Sequence, residues 1–417
     1  MPTLAKKLFR RLNHSKNGHK LLPGKGSRVA ETIPFIDLRS THEEFIKDYF
    51  EELKDLFRAC DFIGASSKRV AAFEEKFAKY IGVKHALGVN SGTDALLLAL
   101  DALGVTRGDE VILPAFGFIA TADVVVRLGA RPVFVDVQPD TFNIDPSAVE
   151  AAITPRTKAI IPVHLFGQTC DMAALMAIAE RHKLPVVEDV AQACGATDAE
   201  NRRAGAIGTF GAFSFYPTKN IGAAGDAGIV TTNDDTLAEK IRWFRDHGRT
   251  PAGTFECIGY NSRLDTIQAM YLAHKLPDLD DSLLDRIENA KLYDALLAEV
   301  DHSFEIRYGE HRPRIERPAV PGDLRHAFNL YTIKAPDRDR LKAYLAHCGI
   351  QSAIYYPTPL HTTPALEFLG YKKGQFPVAE DCAQRCLSLP VWPGLKRQQI
   401  QRVVQTIREF LENNIFV

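Results

Sequence analysis

The chain has 417 residues, 46% hydrophobic and 25% charged, which is ordinary globular composition and long enough for one large domain plus a smaller one. Charge nearly cancels, with 51 Lys and Arg against 52 Asp and Glu, which argues against a nucleic-acid-binding surface over the whole chain. No apolar run approaches the roughly 18–20 residues of a membrane span, and seven cysteines without a C-x-x-C pair favour a reducing, cytoplasmic compartment over a disulfide framework.

Residues 1–30 stand apart. Eight lysines and arginines lie between Lys6 and Arg28, with no acidic residue before Glu31. Leu4, Leu8 and Leu12 share one face of a short basic amphipathic helix. A solvated tail, an anchor to an anionic membrane surface and an organelle-targeting segment are all open readings. A secretory signal is not, because no apolar stretch follows the basic residues. Residues 31–60 read as an arm able to pack on either domain.

From residue 82 the pattern alternates. His85–Val89, Glu110–Leu113, Pro132–Val137, Ala159–Leu165, Val186–Glu188, Gly211–Phe215 and Gly228–Thr231 read as strands. Asp94–Leu103, Ile119–Leu128, Pro146–Ile153, Asp171–His182 and Thr236–Asp246 read as helices between or after them. Such alternation predicts an α/β domain over residues 31–275, built on a mainly parallel, seven-stranded, covered sheet. Residues 276–417 predict a smaller α+β domain: a long helix (Leu279–Val300), a strand (Phe328–Ala335), a helix (Arg338–Cys348) and a last helix (Arg397–Asn413). Cys382 and Cys386, four apart, read as neighbours on a helix face buried in a core. No set of metal ligands is expected.

Chemistry concentrates in a few segments. Asn90-Ser91-Gly92-Thr93-Asp94 is a strand-to-helix turn whose free N–H groups suit a phosphate, although by itself it is also an ordinary helix cap. Pro114-Ala115-Phe116-Gly117-Phe118 sets two aromatics at a strand end, where they either pack in the core or cover a flat ligand. Glu188-Asp189-Val190-Ala191-Gln192 ends a buried strand in a carboxylate. Ser214-Phe215-Tyr216-Pro217-Thr218-Lys219-Asn220 ends another in a hydroxyl and a lysine, before a glycine-rich turn. A lysine amine and a carboxylate on neighbouring strand ends meet the needs of pyridoxal 5'-phosphate (PLP). The amine forms a Schiff base with its aldehyde, and the carboxylate keeps the pyridine nitrogen protonated. Burial of Lys219 would lower its pKa and free the lone pair it needs.

The ordered set S-G-T-D-A-L, P-A-F-G-F-I-A-T, E-D-V-A-Q-A, F-S-F-Y-P-T-K-N and G-Y-N-S-R-L-D-T-I-Q-A, followed by Y-Y-P-T-P-L-H and L-S-L-P, resembles the nucleotide-sugar aminotransferases. These are the DegT-like branch of fold-type-I PLP enzymes, and the likeness covers roughly residues 32–415. It implies that Lys219 carries PLP, that Asp189 faces the pyridine nitrogen and Gln192 the ring hydroxyl, and that Phe118 stacks on the ring. Gly92, Thr93 and Ser214 are implied as phosphate contacts. Asn261 is implied to reach the cofactor of a neighbouring subunit in a homodimer with shared active sites. Tyr216, Arg263, Tyr356 and His361 are expected to contact substrate. Gly117, Cys194 and Ala227 depart from the family pattern, where threonine, histidine and glycine are usual. The implied activity moves an amino group from an amino acid, by family L-glutamate, to a keto-sugar nucleotide, with a lean to C3. A sugar dehydratase is disfavoured because that branch has histidine at the lysine position. A keto-cyclitol aminotransferase and a catalytically silent, PLP-binding regulatory protein are the remaining alternatives.

Overall fold

Period-two alternation in β6 (Phe210–Ser214) shows how the sheet is seated. Phe210 and Ala212 enter one apolar cluster, while Phe213 and the following Phe215 enter another, so both faces of this strand are covered. The structure, a computed structural model, describes residues 32–39, 45–63, 67–308, 314–322 and 324–414. The reading of residues 1–30 lies outside the described residues.

Six more strands accompany β6: β1 (His85–Val89), β2 (Glu110–Pro114), β3 (Arg131–Val135), β4 (Thr157–Ile160), β5 (Val187–Asp189) and β7 (Gly228–Thr232). Ladders β3-β2-β4 and β1-β7-β6-β5 are linked by single parallel bridges, Ile160 to Val186 and Val163 to Asp189. The seven strands thus run β3-β2-β4-β5-β6-β7-β1. Only β7 is antiparallel to its neighbours. This is the mainly parallel α/β sheet of fold type I. The strand expected over Ala159–Leu165 stops at Ile160, because Pro162 has no N–H for the ladder and a 3₁₀ turn, Leu165–Gly167, follows.

Helix α1 (Ile46–Ala59) and helix α2 (Lys68–Ile81) precede the sheet, and α3 (Gly92–Ala102), α4 (Ala120–Arg127), α5 (Pro146–Ala152), α6 (Met172–His182) and α7 (Asp235–Phe244) flank it. Helix α3 is buried nearly all round, through Ala95, Leu96, Leu98, Ala99 and Leu100. The arm divides its contacts. Ile33 bridges to Ile350 and Trp392 Nε1 donates to Pro34 O at 3.2 Å, whereas Tyr49 and Leu56 of α1 pack with Met270 and Tyr271 of α8 (Thr266–Lys275).

After α8 come α9 (Leu279–Tyr308), β8 (Tyr331–Lys334), α10 (Arg338–His347), α11 (Pro377–Arg385), β9 (Cys386–Leu389) and α12 (Arg397–Asn414). β8 and β9 pair antiparallel, and Tyr293, Leu297, Tyr331, Leu387 and Ile407 share an apolar cluster of their own. Cys382 and Cys386 do not share a helix face. Helix α11 ends at Arg385, and Cys386 opens β9 in register with Lys334. Both thiols are nevertheless fully buried. Among the described residues no helix is long and apolar enough to cross a membrane.

Candidate active site

The end of β5 sends two adjacent carboxylates in opposite directions, as a pleated strand must. Glu188 is fully buried and accepts from Gly205 N at 2.9 Å, Ile207 N at 2.8 Å and Gly208 N at 2.6 Å. Its Oε2 also lies 2.9 Å from His164 Nε2. Cys170 N–H, which can only donate, reaches His164 Nδ1 at 3.1 Å, so the imidazole proton sits on Nε2 and points at Glu188. Glu188 therefore ties the 205–208 turn to the strand end. Its truncation in Glu188→Ala orphans these donors and is expected to cost about 3–5 kcal/mol, read as a lowered midpoint in denaturant unfolding.

Asp189, on the opposite face, is 7% exposed and borders a cavity of about 350 Å³. Burial raises its pKa, opposed by the Ala191 N–H at 3.0 Å from Oδ1 and by the Lys219 charge. Lys219 lines the same cavity, and burial lowers its amine to about 8, with Asp189 pulling the other way. A lysine at that value keeps a usable neutral fraction near neutrality.

The loop carrying Lys219 is held at its base and tip. Phe215 N donates to Ala227 O at 2.8 Å and Ala223 N to Phe215 O at 2.7 Å. Lys275 Nζ reaches Gly222 O at 3.0 Å, and Asn220 Nδ2 reaches Ala327 O at 2.9 Å. The fold-back is so tight that a Cβ on Gly222 would stand 2.2 Å from Pro217 O. At the far wall, Ser91 caps α3 by accepting from Asp94 N at 3.1 Å. Gly92 lies directly against Ser214, where a Cβ would come within 2.6 Å of the serine Cβ. Gly228 is equally constrained, its Cβ position being 2.4 Å from Ser91 C, while Ala227 is accommodated in the core beside it. The helix start, the serine and the glycines thus leave a small polar cradle of the kind a phosphate needs.

Gln192 accepts from Phe166 N at 2.9 Å and donates to the Tyr356 hydroxyl at 3.1 Å, leaving its second Nε2 hydrogen for the cavity. Phe118, 55% exposed, stands 5.9 Å from the Tyr356 ring and leaves a face open. Burial and the nearby Asp189 raise the Tyr356 hydroxyl, which stays protonated. Tyr216 and Thr93 also border the cavity.

Asn261, Arg263 and His361 do not line it. Asn261 is exposed, and Arg263 pairs with Asp246 at 2.5 Å. His361 is 2% exposed, with Nε2 3.0 Å from Glu380. Asp226, Asn329 and Tyr355 are among the lining residues to which the sequence reading gave no role. Tyr355 sits within the Y-Y-P-T-P-L-H motif and Asp226 in the glycine-rich turn after Lys219, but Asn329 lies in an apolar strand-like run with nothing to mark it.

A lysine of lowered pKa, a buried carboxylate and a phosphate cradle, set at the ends of parallel strands, define the class of fold-type-I PLP enzymes. Comparison with known proteins gives the family. Residues 46–408 match the model of the DegT/DnrJ/EryC1/StrS aminotransferase family, and the chain belongs to it. A "Pleiotropic regulatory protein" of Geobacillus stearothermophilus is 47% identical over 91% of this chain and 98% of its own length. The UDP-N-acetyl-3-dehydro-alpha-D-glucosamine 3-aminotransferase of Acidithiobacillus ferrooxidans is 42% identical over 91% and 98%. Among solved structures, S. venezuelae DesV in complex with a ketimine intermediate superposes with a TM-score of 0.85 at 39% identity, covering 92% of this chain and 99% of that one. The protein is a PLP-dependent sugar aminotransferase.

Proposed function

We propose that the enzyme transfers an amino group from L-glutamate to the C3 ketone of a nucleotide-linked sugar. The observation that carries the reading is a cavity lined by Lys219 and Asp189 together with Phe118, Tyr216, Tyr355 and Tyr356, a wall suited to a flat cofactor and a sugar ring. The relative that aminates a UDP-linked 3-dehydro sugar supports the choice of C3.

When bound, PLP supplies an electrophilic carbonyl and an electron-withdrawing ring. Lys219 would hold its carbonyl carbon, Asp189 its ring nitrogen, Gln192 its hydroxyl and Phe118 its face. Gly92, Thr93 and Ser214 would hold its phosphate. The chain's own work is then proton transfer and charge placement. Lys219 Nζ, once free and neutral, takes the proton from the amino-acid α-carbon. In the second half it delivers one to the sugar carbon that receives nitrogen. Asp189 keeps a proton on the facing nitrogen by its negative charge in a buried site. The amino acid leaves as a 2-oxo acid and the ketone leaves as an amine, so the exchange needs no other reactant.

The protein named as a pleiotropic regulator favours a second reading, in which the cofactor is bound without turnover. Incubation with L-glutamate followed by a panel of 3-keto and 4-keto nucleotide sugars separates the two. Conversion of the cofactor to its amine form and a C3-aminated product support the transferase. A cofactor unchanged by glutamate would overturn glutamate as the donor, and one unchanged by every amino acid would favour the regulatory reading.

We infer further that the site is shared in a homodimer. Asn261 lies outside its own cavity, and Phe50 and Phe57 on the arm and Ile63 just after it are each more than half exposed, an apolar surface that a second copy would cover. The apolar cluster that α9 shares with β8, β9, α10 and α12 supports a smaller domain beginning near residue 276. Mixing Lys219→Ala and Asn261→Ala chains under exchange conditions is expected to regenerate about a quarter of the sites intact, because each heterodimer holds one site free of both changes. Activity no higher than that of the parent variants, with exchange confirmed, would place Asn261 elsewhere.

A further inference from the structure

Asn329 borders the cavity, is 7% exposed, and has a buried Oδ1 to which no described group donates. A buried amide oxygen without a donor is costly. Its backbone is held from several sides, so the residue cannot move out of the cavity wall as a whole. Ala327 N donates to Gly167 O at 2.7 Å and Leu330 N to Phe166 O at 3.2 Å. Asn220, beside Lys219, donates to Ala327 O at 2.9 Å. Buried Arg286 donates through Nη1 to Phe328 O at 3.1 Å and to Asn329 O at 3.4 Å. Gly167 passes so close that a Cβ there would lie 2.7 Å from Phe328 N. Phe328 itself holds a φ of +38°, and its N–H is taken by the buried His326 Nδ1 at 2.8 Å. The segment from His326 to Leu330 is thus a strap tied to the lysine loop, the Phe166 turn and α9, with one unsatisfied side chain at the cavity.

We propose that Asn329 is a specificity-determining residue whose Oδ1 accepts a hydrogen bond from a hydroxyl of the acceptor sugar, on the ring carbon next to the ketone. The assignment rests on the keto-sugar reading above. Oδ1 needs a donor, and a carboxylate, a ketone or an ionised diphosphate brings none. The amino acid's ammonium is a donor, but its nitrogen is the group being transferred and is committed to the reacting carbonyl. On the ring of an acceptor without an acylamino group, sugar hydroxyls remain, and a neutral amide matches a neutral hydroxyl without the desolvation cost of a charge. Asn329 and Lys219 line one cavity, and the donor assigned to Oδ1 is the hydroxyl on the ring carbon beside the reacting centre. A site built to bond a hydroxyl discriminates against a substrate lacking it, since the oxygen is then left unpaired.

Two acceptors that differ by one group test this: a dTDP-linked 3-keto-6-deoxyhexose and its 4-deoxy counterpart. For Asn329→Leu, kcat/KM with the 4-hydroxy acceptor is expected to fall about 30-fold, and with the 4-deoxy acceptor by less than about 3-fold. Asn329→Asp, which keeps an acceptor oxygen, should retain the preference for the hydroxyl. In titration calorimetry, the dTDP-linked 3-amino-6-deoxyhexose product should bind Asn329→Leu about 30-fold more weakly. The glutamate half-reaction should stay within about 2-fold of wild type, which also reports that the variant is folded. Equal losses with both acceptors, or a loss confined to the glutamate half-reaction, would overturn the assignment while leaving the transferase reading intact. A wild-type enzyme that takes up nitrogen from glutamate yet aminates no 3-keto nucleotide sugar, dTDP- or UDP-linked, would overturn both.

Discussion

Replacement of Lys219 by alanine is expected to reduce transamination by at least about 10⁴-fold, because one change removes both the anchoring amine and the group that moves the proton. The fold should survive. The lysine loop is held by Lys275 on Gly222 O, Asn220 on Ala327 O and backbone bonds at its base, and none of these uses the Lys219 side chain. Borohydride reduction of the wild-type holoenzyme followed by peptide mapping should place the label on Lys219 alone; a label on another lysine sinks the assignment. The amine's value of about 8 adds a pH signature. An ordinary lysine near 10.4 would capture the cofactor faster with every rise in pH through the neutral and alkaline range. With burial lowering the amine, the neutral, reactive form already predominates above about 8. The rate at which cofactor-free enzyme captures PLP should therefore rise up to about that pH and then level off. A rate still climbing past pH 9 would show that burial does not depress this amine.

Asp189→Asn should retain the cofactor but lower turnover by about 10²–10³-fold. The side chains are nearly isosteric, and an amide can still accept the Ala191 N–H, so the strand end is preserved. What goes is the negative charge, and with it the preference for a protonated ring nitrogen. Stopped-flow measurement of the glutamate half-reaction isolates this effect from acceptor binding. Rates close to wild type would mean that Asp189 merely finishes the strand. Its neighbour supplies the contrast, since Glu188→Ala should damage stability and Asp189→Asn should damage chemistry. Two adjacent acids thus separate by which face of β5 they occupy.

The sheet was legible because strands such as Val111–Leu113 and Val186–Val187 are short apolar runs bounded by turn residues, the signature of a covered parallel sheet. The helix over Lys68–Ile81 was just as open to reading and is absent from the sequence expectations. Val70, Phe73, Phe77 and Ile81 follow a helical period, and Ser67 caps them. Helix α11 and strand β9 were obscured because Cys382 and Cys386 sit four apart, a spacing that continues a helix just where the chain becomes extended. In the site, Lys219 and Asp189 could be named because each ends a strand inside a distinctive motif. Asn329 could not. Its position is set by contacts of residues 327–329 with Gly167, Asn220 and Arg286, which are remote in sequence and leave no local pattern. His361 was expected at the substrate on motif alone, whereas its ring is buried against Glu380.

The antiparallel setting of β7 has a bearing on how the protein comes into being. Lys219 rides on the connection between β6 and β7, whose pairing joins Gly211 to Thr231 and Ser214 to Gly228. Closing this loop, which spans residues 215–227, costs less entropy than bringing in Ser91 and Gly92, so this hairpin favours earlier formation during folding. Gly92 and Ser91, which complete the cradle against Ser214 and Gly228, come from far earlier in the chain and dock across a long separation. A newly made chain would thus fix the seat of its reactive lysine before it acquires a place for the phosphate. Cofactor present during refolding would then hasten the late docking step while leaving the hairpin unchanged.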